Sequence, residues 1–134
     1  MEIVRGRKIS PGKTEGLVLV SQDPISFFGG VDPETGIVTE KGHKIEGFTI
    51  KNKVLVFPHG KGSTVGSYAL YRMKKGDVSP KAIVNIECEP IVAVGAIISN
   101  IPTIDRLAKN PLSILRNGMR VRVDADHAQL ELLD

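Results

Sequence analysis

The residues best suited to chemistry lie in one glycine-rich stretch, Gly60-Lys61-Gly62-Ser63-Thr64, which separates an apolar run from a helical pattern. A glycine-rich turn that leads into a helix aims backbone N–H groups at one place, where the helix dipole adds partial positive charge. Such a turn suits a carboxylate or a phosphate. The alternative is structural: Ser63 or Thr64 caps the helix, and the glycines only form the turn.

Two catalytic motifs that use similar residues do not match this turn. A phosphate-binding P-loop has the pattern Gly-x-x-x-x-Gly-Lys-Ser/Thr, whereas Lys61 comes before the second glycine of the stretch. A hydrolase nucleophile elbow, Gly-x-Ser-x-Gly, is also absent around Ser63. The chemistry of the turn must therefore follow from its own amides, its lysine and its hydroxyl groups.

A second candidate is a loop in which two aromatic residues, Phe27 and Phe28, precede a glycine pair, Gly29 and Gly30, and the carboxylate of Asp32. Adjacent aromatics beside a flexible glycine pair suit a loop that borders a ligand or a partner. The alternative is a turn with one of the two phenylalanines in the core, since the residues that follow are ordinary turn formers.

Metal-ligating side chains are few. The histidines are His43, His59 and His127, and Cys88 is the only cysteine. No pair among them has the spacing typical of a zinc site, and a lone cysteine cannot form an internal disulfide. We therefore predict that this chain binds no metal by itself.

Composition limits the class of protein. The 134 residues are 41% hydrophobic and 25% charged, which is typical of one soluble domain with a proper core. Aromatic residues make up only 4%, and the net charge of +3 is scattered, which argues against nucleic-acid binding. No apolar run approaches the roughly 20 residues of a membrane span, and residues 1–10 lack the apolar region of a signal peptide. We predict a single cytoplasmic domain over residues 1–134.

The elements that must position these residues follow from hydrophobic periodicity. Strands are predicted at residues 14–20, 53–57, 81–87, 119–124 and 128–133. The other predicted elements are an ordered loop at 22–36, two short extended pieces within 37–50, a helix at 64–75, and a short helix followed by a strand or loop within 90–104. Gly76 ends the longer helix, and Pro90 opens the shorter one. This order predicts a compact mixed α/β domain.

Three stretches resemble the small subunit of the aconitase X family. They are FFGGVDPETGIVTEKGHKIEG at 27–47, FPHGKGSTVGSYALYRM at 57–73 and AIISNIPTID at 96–105. The similarity runs from about residue 5 to residue 124. The resemblance implies a swivelling β/β/α domain that closes over an active site in a larger partner chain, with which it forms a heterodimer or a higher assembly.

The same resemblance implies a hydro-lyase activity. Short separate chains of this kind imply dehydration of (R)-5-phosphomevalonate to trans-anhydromevalonate 5-phosphate, a step of an archaeal mevalonate route to isoprenoids. Ser63 is then the base that abstracts a proton, and its alkoxide needs stabilising N–H groups. The resemblance implies that a 4Fe–4S cluster lies in the large partner, and the single cysteine of this chain agrees with that, since a cluster normally takes three or four thiolates.

The substrate, a small phosphorylated hydroxy acid, is expected to meet residues of both glycine-rich segments. The expected binding residues are Gly60, Lys61, Gly62 and Thr64 in the turn, and Gly29, Gly30 and Asp32 in the loop. Two alternatives stay open: a related dehydratase subunit for another acid, such as a hydroxyproline or a tricarboxylate, and a non-catalytic swivel or binding module.

Overall fold

A computed structural model describes residues 2–133 of the chain. The strands are β1 (Glu2–Arg5), β2 (Arg7–Ser10), β3 (Lys13–Val20), β4 (Lys53–Phe57), β5 (Ala82–Asn85), β6 (Thr103–Asp105), β7 (Arg120–Asp124) and β8 (Gln129–Leu132). The helices are α1 (Gly66–Lys75), α2 (Pro90–Ile98) and α3 (Pro111–Ile114), with a short 3-10 turn at Ala125–His127. The predicted mixed α/β fold class is confirmed.

All the strands belong to one mixed sheet with the order β1-β8-β7-β3-β4-β5-β6-β2. Its centre, from β3 to β6, is parallel, and the outer strands pair antiparallel. β1 and β2 are consecutive in the sequence, yet they form the two opposite edges of the sheet. The sheet must therefore curl until its edges meet along the first ten residues.

Gly6 lies at the point where the two edges meet. Its N–H donates to the carbonyl of Ala128, 2.8 Å away, beside the β8 edge. A Cβ at Gly6 would lie 2.5 Å from the carbonyl oxygen of Asp105, on β6 at the other edge. A glycine is required here because the backbones of both edges approach it closely.

Side-chain alternation along the central strands divides the buried residues into two cores. On β4, Val54 and Val56 belong to the core enclosed by the curled sheet, whereas Leu55 and Phe57 belong to a core outside it. The outer core lies between the sheet, helices α1 and α2, and loop 21–52. The central strands are therefore buried on both faces, which explains their continuous apolar runs.

Helices α1 and α2 lie side by side and begin at the same end of the sheet. The Ser67 hydroxyl donates to the carbonyl of Ile91 at 2.7 Å, near the start of each helix. Gly95 lets the helices approach, since a Cβ there would lie 3.2 Å from the Cα of Ser67. Both helices follow parallel strands, so the turns that precede them leave the carboxyl ends of β4 and β5, where ligands commonly bind in parallel α/β sheets.

Two predictions about local structure need correction. The helix predicted at 64–75 begins at Gly66, because the N–H groups of Gly66 and Ser67 donate to the carbonyls of Ser63 and Thr64 as successive turns. The extended pieces predicted within 37–50 are instead turns held by isolated bridges. The frequent glycines and polar residues of that segment favour turns over a continuous ladder.

Candidate active site

The glycine-rich turn before α1, residues 58–65, is fixed to loop 21–52 by backbone bonds. Ile25 and Gly60 form a parallel bridge. The N–H of Ile25 donates to the carbonyl of His59 at 3.3 Å, and the N–H of Lys61 donates to the carbonyl of Ile25 at 3.0 Å. The turn therefore continues the strand pairing beyond the end of β4, and this places it at the carboxyl end of the sheet.

Two glycines of the turn are required by close packing. A Cβ at Gly60 would lie 2.5 Å from both a carboxylate oxygen of Glu89 and a methyl of Val92 at the start of α2. Gly62 has a φ of +92°, and a Cβ there would lie 2.5 Å from the hydroxyl of Ser26. Both glycines therefore shape the turn, whatever else they contact.

Ser63 is exposed, and its side chain is bonded to the backbone just ahead of the helix. Its Oγ accepts a hydrogen bond from the N–H of Val65 at 3.1 Å. The N-cap position of α1 is Val65, which makes no side-chain capping bond. Neither Ser63 nor Thr64 occupies the N-cap position of α1, but the bond from the N–H of Val65 to Ser63 is of the kind that an N-cap makes, so the structural alternative for Ser63 stays open.

The backbone of the turn has donors to spare. Among residues 2–133, no acceptor takes a hydrogen bond from the N–H groups of Gly62, Ser63 or Thr64. The first turn of α1 carries no acidic side chain either. The partial positive charge of the helix N-terminus is therefore left open to an anion at this place.

Lys61 already has an anionic partner within the chain. Its Nζ lies 2.8 Å from Oε2 of Glu40. The other carboxylate oxygen of Glu40 would lie 3.3 Å from a Cβ at Gly30, so the glutamate sits over the glycine pair of the loop. Lys61 thus connects the two glycine-rich segments in this conformation, and its predicted contact with substrate stays a prediction.

A cleft of about 540 Å³ separates the second glycine-rich loop from α1. Its lining residues are Phe27, Phe28, Gly29, Val31, Asp32, Pro33, Thr39, Val65, Tyr68, Ala69 and Arg72. Gly29 has a φ of +90° and open space around the position of a Cβ. Gly30 is buried instead, and a Cβ there would lie only 2.4 Å from the carbonyl oxygen of Ser26.

The loop residues divide into structural and surface groups. Phe27 is buried and packs edge-on against Phe57, with ring centroids 5.9 Å apart. Phe28 is 54% exposed at the cleft. Oδ1 of Asp32 accepts a hydrogen bond from the N–H of Glu34 at 2.9 Å, so this carboxylate builds the turn while it lines the cleft.

Metal-ligating residues are dispersed over the fold. Among residues 2–133, no three His, Cys, Asp or Glu side chains lie close enough to hold a metal ion. Cys88 lies before α2, where burial and the nearby carboxylates of Asp105 and Glu89 raise the pKa of its thiol to about 12. The donors described within residues 2–133 do not fit an iron–sulfur cluster, which normally takes three or four thiolates.

Two acidic residues near the site were missed by the sequence analysis. Glu89 accepts hydrogen bonds from the N–H groups of Ile91 and Val92 and caps α2. An acidic residue directly before Pro90 was a usable signal for this cap, because Pro favours the first helical position. Glu40 gave no comparable signal, since its partner Lys61 is distant in the sequence.

The parallel sheet centre, the paired helices and the open glycine-rich turn define a swivel-type β/β/α domain. The chain belongs to the family described as "Aconitase X swivel domain", which matches residues 3–132. The predicted family is thereby confirmed.

Relatives and a solved structure are similar over almost the whole chain. A Methanococcoides burtonii protein named "Phosphomevalonate dehydratase small subunit" is 59% identical over 96% of this chain and 93% of its own. A Thermococcus kodakarensis protein of the same name is 56% identical over 98% and 96%. The crystal structure of Thermococcus kodakaraensis aconitase X in its holo form has a TM-score of 0.95 and 55% identity, with both chains covered completely. Among residues 2–133, no helix is long and apolar enough to cross a membrane.

Proposed function

We propose that this chain is the small subunit of a hydro-lyase that dehydrates (R)-5-phosphomevalonate to trans-anhydromevalonate 5-phosphate. The names of its relatives and its family support this reaction. The observation that carries the chemical part is the position of Ser63, whose exposed hydroxyl accepts an N–H bond at the open start of α1. The chain acts with a large subunit that carries the iron–sulfur cluster, and we place the complex in the cytoplasm.

In this reaction the base removes a proton from the carbon next to the substrate carboxylate. The electron pair of that C–H bond becomes the carbon–carbon double bond, and the bond to the tertiary hydroxyl group breaks, so that water is released overall. Ser63 takes the proton as its alkoxide. The N–H of Val65 and the dipole of α1 stabilise this alkoxide, as N–H groups stabilise other oxyanions. Assistance to the departing hydroxyl group is the task of the partner chain.

The anionic groups of the substrate meet the rest of the turn. The free N–H groups of Gly62 and Thr64 supply donors for a carboxylate or a phosphate. Lys61 adds a full positive charge when its ammonium group leaves Glu40 and binds the substrate. Gly60 keeps the turn close to α2, while Gly29 and Asp32 line the neighbouring cleft. Gly30 packs against the backbone of Ser26 and so supports the loop that lines the cleft.

The test is anaerobic co-purification with the cognate large subunit, followed by a dehydration assay on 5-phosphomevalonate with wild type, Ser63→Ala and Ser63→Asn. Asparagine keeps an acceptor for the N–H of Val65 but has no hydroxyl group. We expect both variants to assemble and to lose about 10²- to 10⁴-fold in kcat. Full activity of Ser63→Asn would return Ser63 to a structural role in the turn.

Assays on the same purified complex distinguish the proposed function from the two alternatives. Turnover of a hydroxyproline or a tricarboxylate in place of 5-phosphomevalonate would keep Ser63 as the base and change the substrate. Assembly with full activity in both Ser63 variants would favour a non-catalytic swivel module. No assembly would contradict the subunit role itself.

A further inference from the structure

The cleft beside α1 has a lining that does not suit the anionic substrate. Its walls are mainly apolar, formed by residues such as Phe28, Val31, Pro33, Val65 and Ala69. Its charged groups are engaged within the chain. Asp32 accepts a bond from its own turn, and the guanidinium of Arg72 lies 3.5 Å from the carboxylate of Glu34. A phosphate or carboxylate would gain little here, because apolar walls remove its hydration without replacing it.

Large apolar side chains stand exposed around the same cleft. Tyr68 is 72% exposed, Phe28 is 54% exposed and Val65 is 43% exposed. Val65, Tyr68 and Arg72 follow one another at helical spacing, so they present one face of α1 toward the cleft. A concave apolar surface with exposed aromatics at its rim is typical of a protein–protein interface, where Tyr and Phe are enriched.

We propose that this cleft is the docking site for an apolar side chain, aromatic or branched aliphatic, on the surface of the large subunit. The inference rests on the proposed function, because that function requires the large subunit to reach Ser63. Val65 lies two residues beyond Ser63 in the chain and lines the cleft. A partner surface that covers the hydroxyl of Ser63 therefore continues directly onto the cleft.

Docking at this place also serves the chemistry. An apolar plug beside the turn removes water from the neighbourhood of Ser63, and a drier site strengthens the hydrogen bonds to its oxygen. The side chain of Arg72 and its partner Glu34 stay at the solvent edge, where a polar rim is expected. The cleft thus sets the register in which the large subunit meets the turn.

The chain offers a matched pair of variants for the test. Phe28 and Phe48 are exposed to 54% and 52%, yet only Phe28 lines the cleft. We would measure Kd between the immobilised cognate large subunit and the free small chain under anaerobic conditions, for wild type, Phe28→Asp and Phe48→Asp. Phe28→Asp is expected to raise Kd about 30-fold or more, because it replaces an apolar interface residue with a charge. Phe48→Asp is expected to leave Kd within about threefold of wild type.

Tyr68→Ala is the second variant, because a largely exposed side chain is dispensable for folding. It is expected to raise Kd about tenfold. Wild-type binding with unchanged Kd in Phe28→Asp and Tyr68→Ala overturns the docking site but leaves the proposed function standing. A free wild-type chain that is a dimer, and becomes a monomer in Phe28→Asp, overturns it in favour of a second copy. Failure of the wild-type chain to bind contradicts the proposed function and the docking site together.

Discussion

Helices α1 and α2 begin side by side, but only α2 has a side chain that caps its first backbone N–H groups. Before α2, the carboxylate of Glu89 accepts bonds from the N–H groups of Ile91 and Val92 at 3.0 and 2.7 Å, and Pro90 removes a further donor. Before α1, the N-cap Val65 makes no side-chain capping bond, and the N–H groups of Gly62, Ser63 and Thr64 donate to nothing within residues 2–133. The N-terminus of α2 is closed to an anion, and the turn before α1 is open to one.

The residues around the two turns follow the same division. The N–H of Cys88 donates to Asp105, a fully buried carboxylate that also receives two bonds from Arg7. The turn before α1 is held by backbone bonds to Ile25, and the side chain of Lys61 makes a partly exposed ion pair with Glu40. Stabilising contacts are therefore concentrated before α2, whereas donors before α1 are kept free for a ligand.

The largest effect on stability is expected for Asp105→Ala. The substitution leaves the N–H of Cys88 unpartnered and removes both bonds to Arg7. Loss of this buried carboxylate is expected to cost about 3 kcal/mol in the free energy of unfolding, measured by urea denaturation. Glu87→Ala is the control, because its ion pairs with Arg106 and Arg7 are exposed to solvent and contribute little to stability. Equal losses in both variants would contradict the comparison.

A smaller loss of stability, with a clear loss of activity, is expected for Gly62→Ala. Its φ of +92° disfavours alanine, and the new Cβ would lie 2.5 Å from the hydroxyl of Ser26. We expect a cost of about 1–2 kcal/mol in unfolding and a lower kcat in the assembled enzyme, because the free amides move. Adding Ser26→Gly should relieve the contact but not the backbone strain, so it restores only part of the stability. Complete recovery would show that φ is not the limiting factor.

The smallest expected effect is a fall in the free energy of unfolding at alkaline pH, caused by Cys88 before α2. Burial raises the pKa of the Cys88 thiol to about 12, whereas the pKa of an unfolded thiol is about 8.5. The unfolded chain therefore loses this proton first, and the free energy of unfolding falls as pH rises between these values. The free energy of unfolding that is lost through Cys88 is about 1 kcal/mol at pH 10. The loss is kept this small because the thiol is partly exposed to solvent. Cys88→Ser should remove this contribution, and an identical pH profile for both chains would contradict it.

The centre of the fold was predictable from local pattern. The apolar runs at 53–57 and 81–87 identify strands that are buried on both faces, and Pro90 marks the start of α2. Strands β1 and β2 were not predicted, because their partners β8 and β6 lie about a hundred residues away in the sequence. Short edge strands interrupted by a glycine carry little local signal, and their structure comes from closure of the sheet.

The candidate site was predictable only as a turn. Glycine spacing before a helical pattern identified the segment around Ser63, and the resemblance assigned the serine its expected role. The contacts that hold the segment were not predictable. Glu40 approaches Lys61, and Ser26 approaches Gly62, only after loop 21–52 has folded over the carboxyl ends of the strands. Such pairings depend on tertiary structure and leave no periodic pattern.

The closure of the sheet around Gly6 has a consequence for the order of folding. Residues 2–10 are made before the rest of this fold, yet β2 must wait for β6, and β1 must wait for β8. Contacts at such long sequence separation slow folding, because a long loop must close before they form. Until then two unpaired strand edges stay exposed, and both are sites for pairing with another chain. A nascent chain of this protein is therefore vulnerable to aggregation until β6 and β8 have been made.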